Sequence, residues 1–275
     1  MRFLTNRNDL TKRIALLIEY KGKGLVGWQK QDNGTSVQGE IEKAIQILYK
    51  TECNLQAAGR TDAGVNAFGQ VAHVDVPKNN EFSTKNNFYL VYALNSLLRK
   101  TNIRIISIQN TSNDFNARFS ATKRSYVYKF LCRTAPPSIL TNQVWHIQKR
   151  VDINAMKLAA NHLVGNHDFS SFRSTSCQAP SPIKTIDKFK FDFINDVLEM
   201  KVEAKSFLHN QVRIIAGSLI KVGTGLWNPD KIKQILDLRS RSKAGETAPP
   251  DGLYLEKVTY PKKFLNSKWP AYIND

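Results

Sequence analysis

The chain has 275 residues, 41% of them hydrophobic and 10% aromatic, which is enough to bury the core of one large domain or two modest ones. It carries 40 lysines and arginines against 23 acids, a net charge of +17. That excess favours a polyanionic partner over the alternative of a basic but solvated surface, and it says nothing of fold. Three scattered cysteines, Cys53, Cys132 and Cys177, exclude a disulfide framework and zinc-ligand spacing and fit a reducing compartment.

No apolar run approaches the ~18 residues that a bilayer span needs. The segment from Met1 to Lys12 is polar and lacks the apolar centre of a signal peptide, so a soluble intracellular protein is expected. Arg13 to Tyr20 then alternates Ile14, Leu16 and Ile18 on one face, as a strand does. Gly22, Gly24 and Gly27 break it ahead of Trp28. A helix is expected from Thr35, with Gln38 completing a capping box and Val37, Ile41, Ala44, Ile45 and Leu48 forming its apolar stripe. Residues 55–58 and 70–76 read as short strands flanking Gly59-Arg60-Thr61-Asp62-Ala63-Gly64-Val65. Residues 87–98 read as a buried helix and 103–109 as a strand.

Beyond a polar stretch at 110–114, residues 126–131 form a strand and 154–164 a helix stopped by Gly165. Residues 170–182 lack any period and read as a loop. Strands over 184–193 and 197–204 meet at Asn195-Asp196, a hairpin turn. A helix over 207–222 ends at Gly223, Asn228-Pro229 opens another running to Leu238, and a last strand covers 252–260. Each half mixes antiparallel strands with covering helices, which is α+β. The halves are expected at 11–113 and 114–275.

Four segments have side chains suited to chemistry. Asp62, beside Arg60 and between Gly59 and Gly64, is ionised at neutral pH and suited to act as nucleophile or base; a Gly-flanked Asp equally suits a turn cap. Arg60 could keep the acid ionised, bind a phosphate or wedge between bases. Residues 115–128 interleave Arg118, Lys123 and Arg124 with aromatics, a composition that grips phosphates and stacks bases; Tyr126 and Tyr128 share a strand face. An ordinary cationic edge strand would look the same. Gly165-Asn166-His167-Asp168-Phe169-Ser170-Ser171-Phe172 reads better as a helix stop with aromatic packing than as an acid–base pair. Arg213 sits in an otherwise apolar helix, where a buried charge needs a partner; Asp62 is one candidate, and snorkelling to the surface is the alternative. His73 reads as a packed strand residue and 239–243 as a solvated basic helix end. No metal cluster, phosphate loop or dinucleotide fingerprint stands in the sequence.

Taken in order, Gly27-Trp28-Gln29-Lys30-Gln31, Ser36-Val37-Gln38-Gly39-Glu40, the block 59–65, Gly69-Gln70-Val71-Ala72-His73, and the segments 115–128, 165–172, 207–213 and 247–253 resemble the TruA family of tRNA pseudouridine synthases across nearly the whole chain. The chain departs from the family pattern at Asn66, where His is usual, and at Tyr20-Lys21-Gly22-Lys23, where Tyr-Asp-Gly-Thr is usual. The resemblance implies two α+β halves whose antiparallel sheets join, with a basic cleft between. It implies isomerisation of uridine to pseudouridine in the anticodon stem-loop of tRNA by a homodimer, with no cofactor, metal or membrane. The cytoplasm is the expected compartment, or the plastid stroma for an organelle-encoded chain. By the same resemblance Asp62 is the nucleophile, attacking ribose C1′ or uracil C6. Arg60 displaces or replaces the flipped base, Tyr126 stacks on the uracil, Arg213 pairs with Asp62, and Leu253 packs against the base. A noncatalytic RNA-binding protein and a nucleotide hydrolase are the alternatives. The retention of Asp62, Arg60 and Tyr126 speaks against the first. The lack of a metal cluster or a second acid speaks against the second.

Overall fold

The computed structural model describes residues 10–32 and 34–265; Asn33, the sequence before Leu10 and the last residues after Leu265 lie outside it. Most of the polar leader expected to lack a signal core is therefore outside the described residues. The chain forms two compact units. The first comprises residues 1–122 and 257–275, and the second residues 123–256. The sequence suggests a division at 113/114; the observed one falls later and returns the C-terminal segment to the first unit.

In the first unit, β1 (Thr11–Tyr20) lies between β4 (Ile103–Thr111) and β3 (Asn66–Pro77), antiparallel to both, and the short β2 (Gln56–Ala57) adds to β3. The buried run Ile14–Ile18 shows why β1 is central: both faces are covered, so its alternation is overwritten by a continuous apolar stretch. Helix α1 (Val37–Tyr49) buries the predicted stripe. Its cap is Ser36, not Thr35, and the Ser36 hydroxyl accepts from the Gly39 amide at 3.1 Å. Gln38 is thus not the far member of a capping box. Its side chain instead donates to Glu42, and accepts from the Lys30 amide at 3.2 Å.

Helix α2 (Asn87–Leu97) is not the buried helix that its apolar sequence suggests. Leu90 and Leu94 are buried, but Phe88 is 77% and Tyr92 72% exposed. An apolar run reports a preference for burial, and a single chain leaves this face uncovered.

In the second unit the order is β5-β9-β8-β7, where β5 is Lys123–Cys132, β9 Val197–Ala204, β8 Ile183–Ile194 and β7 Gly165–Asp168. All these neighbours are antiparallel, while β6 (Trp145–Ile147) joins β5 in parallel. The hairpin turn between β8 and β9 lies at Asn195, whose φ of 53° is one that Asn tolerates well. Helices α3 (Ile153–Asn161), α4 (Gln211–Gly223) and α5 (Lys231–Leu238) cover this unit.

Helix α4 begins after Asn210 rather than at residue 207, because Asn210 takes a left-handed φ of 61° that breaks the helical path. Gly223 lies inside the helix, packed against Met156 and Val151, where a side chain would not fit. The chain turns at Gly225, with φ +76°. Gly165 does not simply stop α3; at φ +104° it opens β7. The strand β10 (Leu253–Thr259) carries the chain from the second unit back into the first.

Candidate active site

Asp62 sits on a β-turn. The Val65 amide donates to the Asp62 carbonyl at 3.2 Å, and the third turn residue, Gly64, has φ +78°. A side chain there would be strained, so glycine is required by this turn. Gly59 does not share that need: it is not among the residues with positive φ. The turn leads straight into β3, which starts nearer the acid than the sequence suggests. Asp62 is partly exposed, and Arg60 is exposed.

The loop is held from behind by long-range contacts. The Gln70 side chain donates to the Gly59 carbonyl at 2.8 Å. The Tyr20 hydroxyl and the Thr61 hydroxyl hydrogen-bond at 2.7 Å in the interior, and the Trp28 amide donates to the Thr61 carbonyl at 3.0 Å. The Gly22 amide donates to the Asn66 side-chain oxygen at 2.9 Å. The glycine-rich segment after β1 therefore lies against the Asp62 loop, backbone to backbone. A Cβ at Gly22 would collide with Gly64 and Val65, and one at Gly27 would stand 2.7 Å from the Thr61 oxygen. Among these residues, Tyr20, Thr61 and Asn66 were not singled out for such a role by sequence reasoning. Polar contacts that span the chain leave no periodic signal.

The basic-aromatic stretch after Asp114 divides between the units. In the first, Phe115 is fully buried, against His73 and Tyr260. Its backbone is pinned in three places. Arg13 donates to the Asn113 and Phe115 carbonyls, the Ala117 amide donates to Nδ1 of His73 at 3.1 Å, and Tyr260 donates to the Ala117 carbonyl. Arg13 is itself fixed by a two-pronged ion pair with Asp75 at 2.7 Å. Pinned this way, the loop presents Arg118 over Phe119, which is 77% exposed. His73 is a packed residue, as expected. Burial and the nearby Arg13 charge pull its pKa down to about 4, so the ring is neutral and its Nδ1 is free to accept.

In the second unit Tyr126 is partly exposed on β5 and meets Phe207 edge-on at 5.2 Å. Two residues on, Tyr128 is fully buried and donates to the Pro249 carbonyl at 2.7 Å; desolvation pushes its ionisation far up. Arg213, on the first turns of α4, donates to the Ala248 carbonyl at 2.7 Å and to the Asn210 side chain at 2.9 Å. Leu253 is buried at the head of β10. Asp62 and Arg60 thus belong to the first unit, and Tyr126, Arg213 and Leu253 to the second.

The segment 165–172 is structural. Phe169 and Phe172 are fully buried, His167 bonds the Val164 carbonyl, and Asp168 pairs with Arg239 at 3.4 Å and accepts from the Ser170 amide. The basic end at 239–243 is not simply solvated, since Arg241 donates to Gly245 and Thr247. Among the described residues no group of three or more His, Cys, Asp or Glu side chains could hold a metal ion, and no helix is long and apolar enough to cross a membrane.

A paired α+β architecture with an Asp on a glycine turn and a large basic excess fits an enzyme acting on nucleic acid. The sequence profile described as tRNA pseudouridine synthase matches residues 159–261. A tRNA pseudouridine synthase A of Rhizobium meliloti is 44% identical over 90% of this chain and 99% of its own length. The protein of that name from Brucella ovis is 45% identical over 90% of this chain and 98% of its own. Among solved structures, a Cbf5-Nop10-Gar1 complex aligns over 75% of this chain and 54% of that one, at 11% identity and a TM-score of 0.30, too slight a likeness to bear on the site. The chain belongs to the tRNA pseudouridine synthase A family, isomerases of uridine in tRNA, and has the pseudouridine synthase fold.

Proposed function

We propose that the chain isomerises uridines in the anticodon stem-loop of tRNA with Asp62 as the nucleophile. The observation that supports this most is the Asp62 turn itself. A partly exposed carboxylate stands on a rigid glycine turn with a solvent-facing Arg60 two residues before it. A nucleophile has to be reachable yet fixed, and this loop meets both demands.

The carboxylate attacks ribose C1′ or uracil C6. The N1–C1′ bond breaks, the base turns, C5 bonds to C1′, the bond from the Asp62 carboxylate to C1′ or C6 breaks to return the free carboxylate, and the C5 proton is lost to solvent as N1 gains one. Product and substrate are isomers, so no redox partner enters the balance. The uridine must leave its stack first, at a few kcal/mol. Arg60 is assigned to displacing that base and Tyr126 to stacking on the uracil. One base–aromatic stack is worth about 1–3 kcal/mol, comparable with the unstacking it offsets. Arg213 is assigned to keeping Asp62 anionic and Leu253 to walling the base. The net charge of +17 supplies backbone attraction. We further propose that the protein is a homodimer working in the cytoplasm where tRNA matures.

The test uses tRNA tritiated at uracil C5, incubated without added metal. Release of tritium to water by the wild type, lost in Asp62→Ala, is expected. No release from any tRNA would overturn the reaction assigned, and release that persists in Asp62→Ala would overturn the nucleophile.

A further inference from the structure

We infer that Tyr20 is a positioning residue for this reaction, acting through Thr61 on Asp62; the inference rests on Asp62 being the nucleophile. Tyr20 and Thr61 are both buried, at 3% and 7% exposure, and their hydroxyls meet at 2.7 Å. Tyr20 is the last residue of β1, a strand paired on both sides, so its ring is anchored by the sheet. Trp28, 3% exposed, packs against that ring with centroids 6.3 Å apart, and its amide holds the Thr61 carbonyl. Thr61 is therefore gripped at both its side chain and its backbone, and it is the residue immediately before Asp62.

These contacts have a direction. The tyrosine and tryptophan are set by the sheet and by the packing of the glycine segment, where Gly27 permits an approach that a Cβ would block. Within the Asp62 turn itself, the Val65 amide donates to the Asp62 carbonyl at 3.2 Å. Rigidity thus passes from β1 through Thr61 to the carboxylate. A carboxylate that wanders by an ångström loses rate rather than substrate affinity, because the tRNA is held elsewhere.

The test compares Tyr20→Phe, Thr61→Val, Thr61→Ser and the double variant Y20F/T61V with wild type. Turnover and KM for tRNA are measured well below each melting temperature. Tyr20→Phe keeps the ring and its packing and removes one hydroxyl. The expected result is a fall in kcat of about ten-fold, one hydrogen bond's worth, with KM within about two-fold. Thr61→Val falls to the same degree, Thr61→Ser keeps near wild-type turnover, and the double variant is no slower than either single one. Wild-type turnover in a folded Tyr20→Phe would overturn the proposal. So would additive losses of about a hundred-fold in the double variant, or a Thr61→Ser as slow as Thr61→Val. If Tyr20→Phe melts below the assay temperature, the Thr61→Val and Thr61→Ser pair carries the comparison with Tyr20 intact. Asp62→Ala is run beside them. Turnover persisting there overturns the nucleophile assignment, whereas an inactive Asp62→Ala beside a full-speed Tyr20→Phe overturns the positioning role alone.

Discussion

At the scale of residues, the proposed chemistry separates turnover from grip. Arg60 is solvent-facing and, as the residue that displaces the base, its loss should be felt in the step after binding. Arg60→Ala is expected to lose kcat far more than tRNA affinity; comparable losses in both, measured by single-turnover kinetics and filter binding, would mark a simple phosphate contact. Tyr126→Leu removes a stacking surface, and a rate loss matching about 1–3 kcal/mol is expected, with Tyr126→Phe near wild type. His73 gives a pH prediction of definite sign. Its folded pKa, about 4, lies below the ordinary 6.5, so the unfolded chain binds the proton first. Stability contributed by the neutral ring is present in full above pH 6.5 and is lost as pH falls from 6.5 toward 4. Protonation also removes the lone pair that accepts from Ala117. The melting temperature of wild type is expected to drop through that window more than that of His73→Phe; parallel curves would show that His73 contributes no pH dependence. The turn at Asp62 was legible in the sequence because an Asp close to glycines is a turn signal. Tyr20 and Thr61 were not, because their partnership spans 41 positions and pairs two residues that local patterns treat as ordinary.

At the scale of elements, periodicity located nearly every strand and helix and failed where a single backbone conformation decided. The start of α4 is set by one left-handed residue, Asn210, and no apolar stripe reports that. The cap of α1 moved by one position because Ser36, not Thr35, has the extended conformation that lets its hydroxyl reach Gly39. Ser36→Ala is expected to cost about 1 kcal/mol, roughly 2–4 °C in the melting transition, with little change in chemistry at the site. An unchanged melt would mean that water replaces the cap without loss. Gly27→Ala belongs to this scale too. A φ of +107° and a 2.7 Å approach to the Thr61 oxygen give the added methyl no room, so this variant is expected to lose both stability and turnover. A variant that melts like wild type would show that the segment relaxes freely.

At the scale of the molecule, α+β architecture was readable from the alternation of strand and helix patterns, and the chain's division into two units was expected. Their boundary was not, because the C-terminal segment rejoins the first unit after a long excursion, and sequence proximity carries no record of that return. The aromatic face of α2, with Phe88 and Tyr92 largely exposed, is the surface that the proposed homodimer is expected to cover. Light scattering should give twice the 31.2 kDa of the chain, and Phe88→Glu with Tyr92→Glu should return it to the single mass. A dimer untouched by both charges would move the interface elsewhere. The net charge of +17 makes tRNA binding steeply salt dependent, log affinity falling linearly with log salt. The most direct check of the whole account remains tritium release from C5-labelled tRNA by wild type and Asp62→Ala side by side. Release by the wild type and none by the variant is the predicted result; equal release by both would contradict the assignment of Asp62 as the nucleophile.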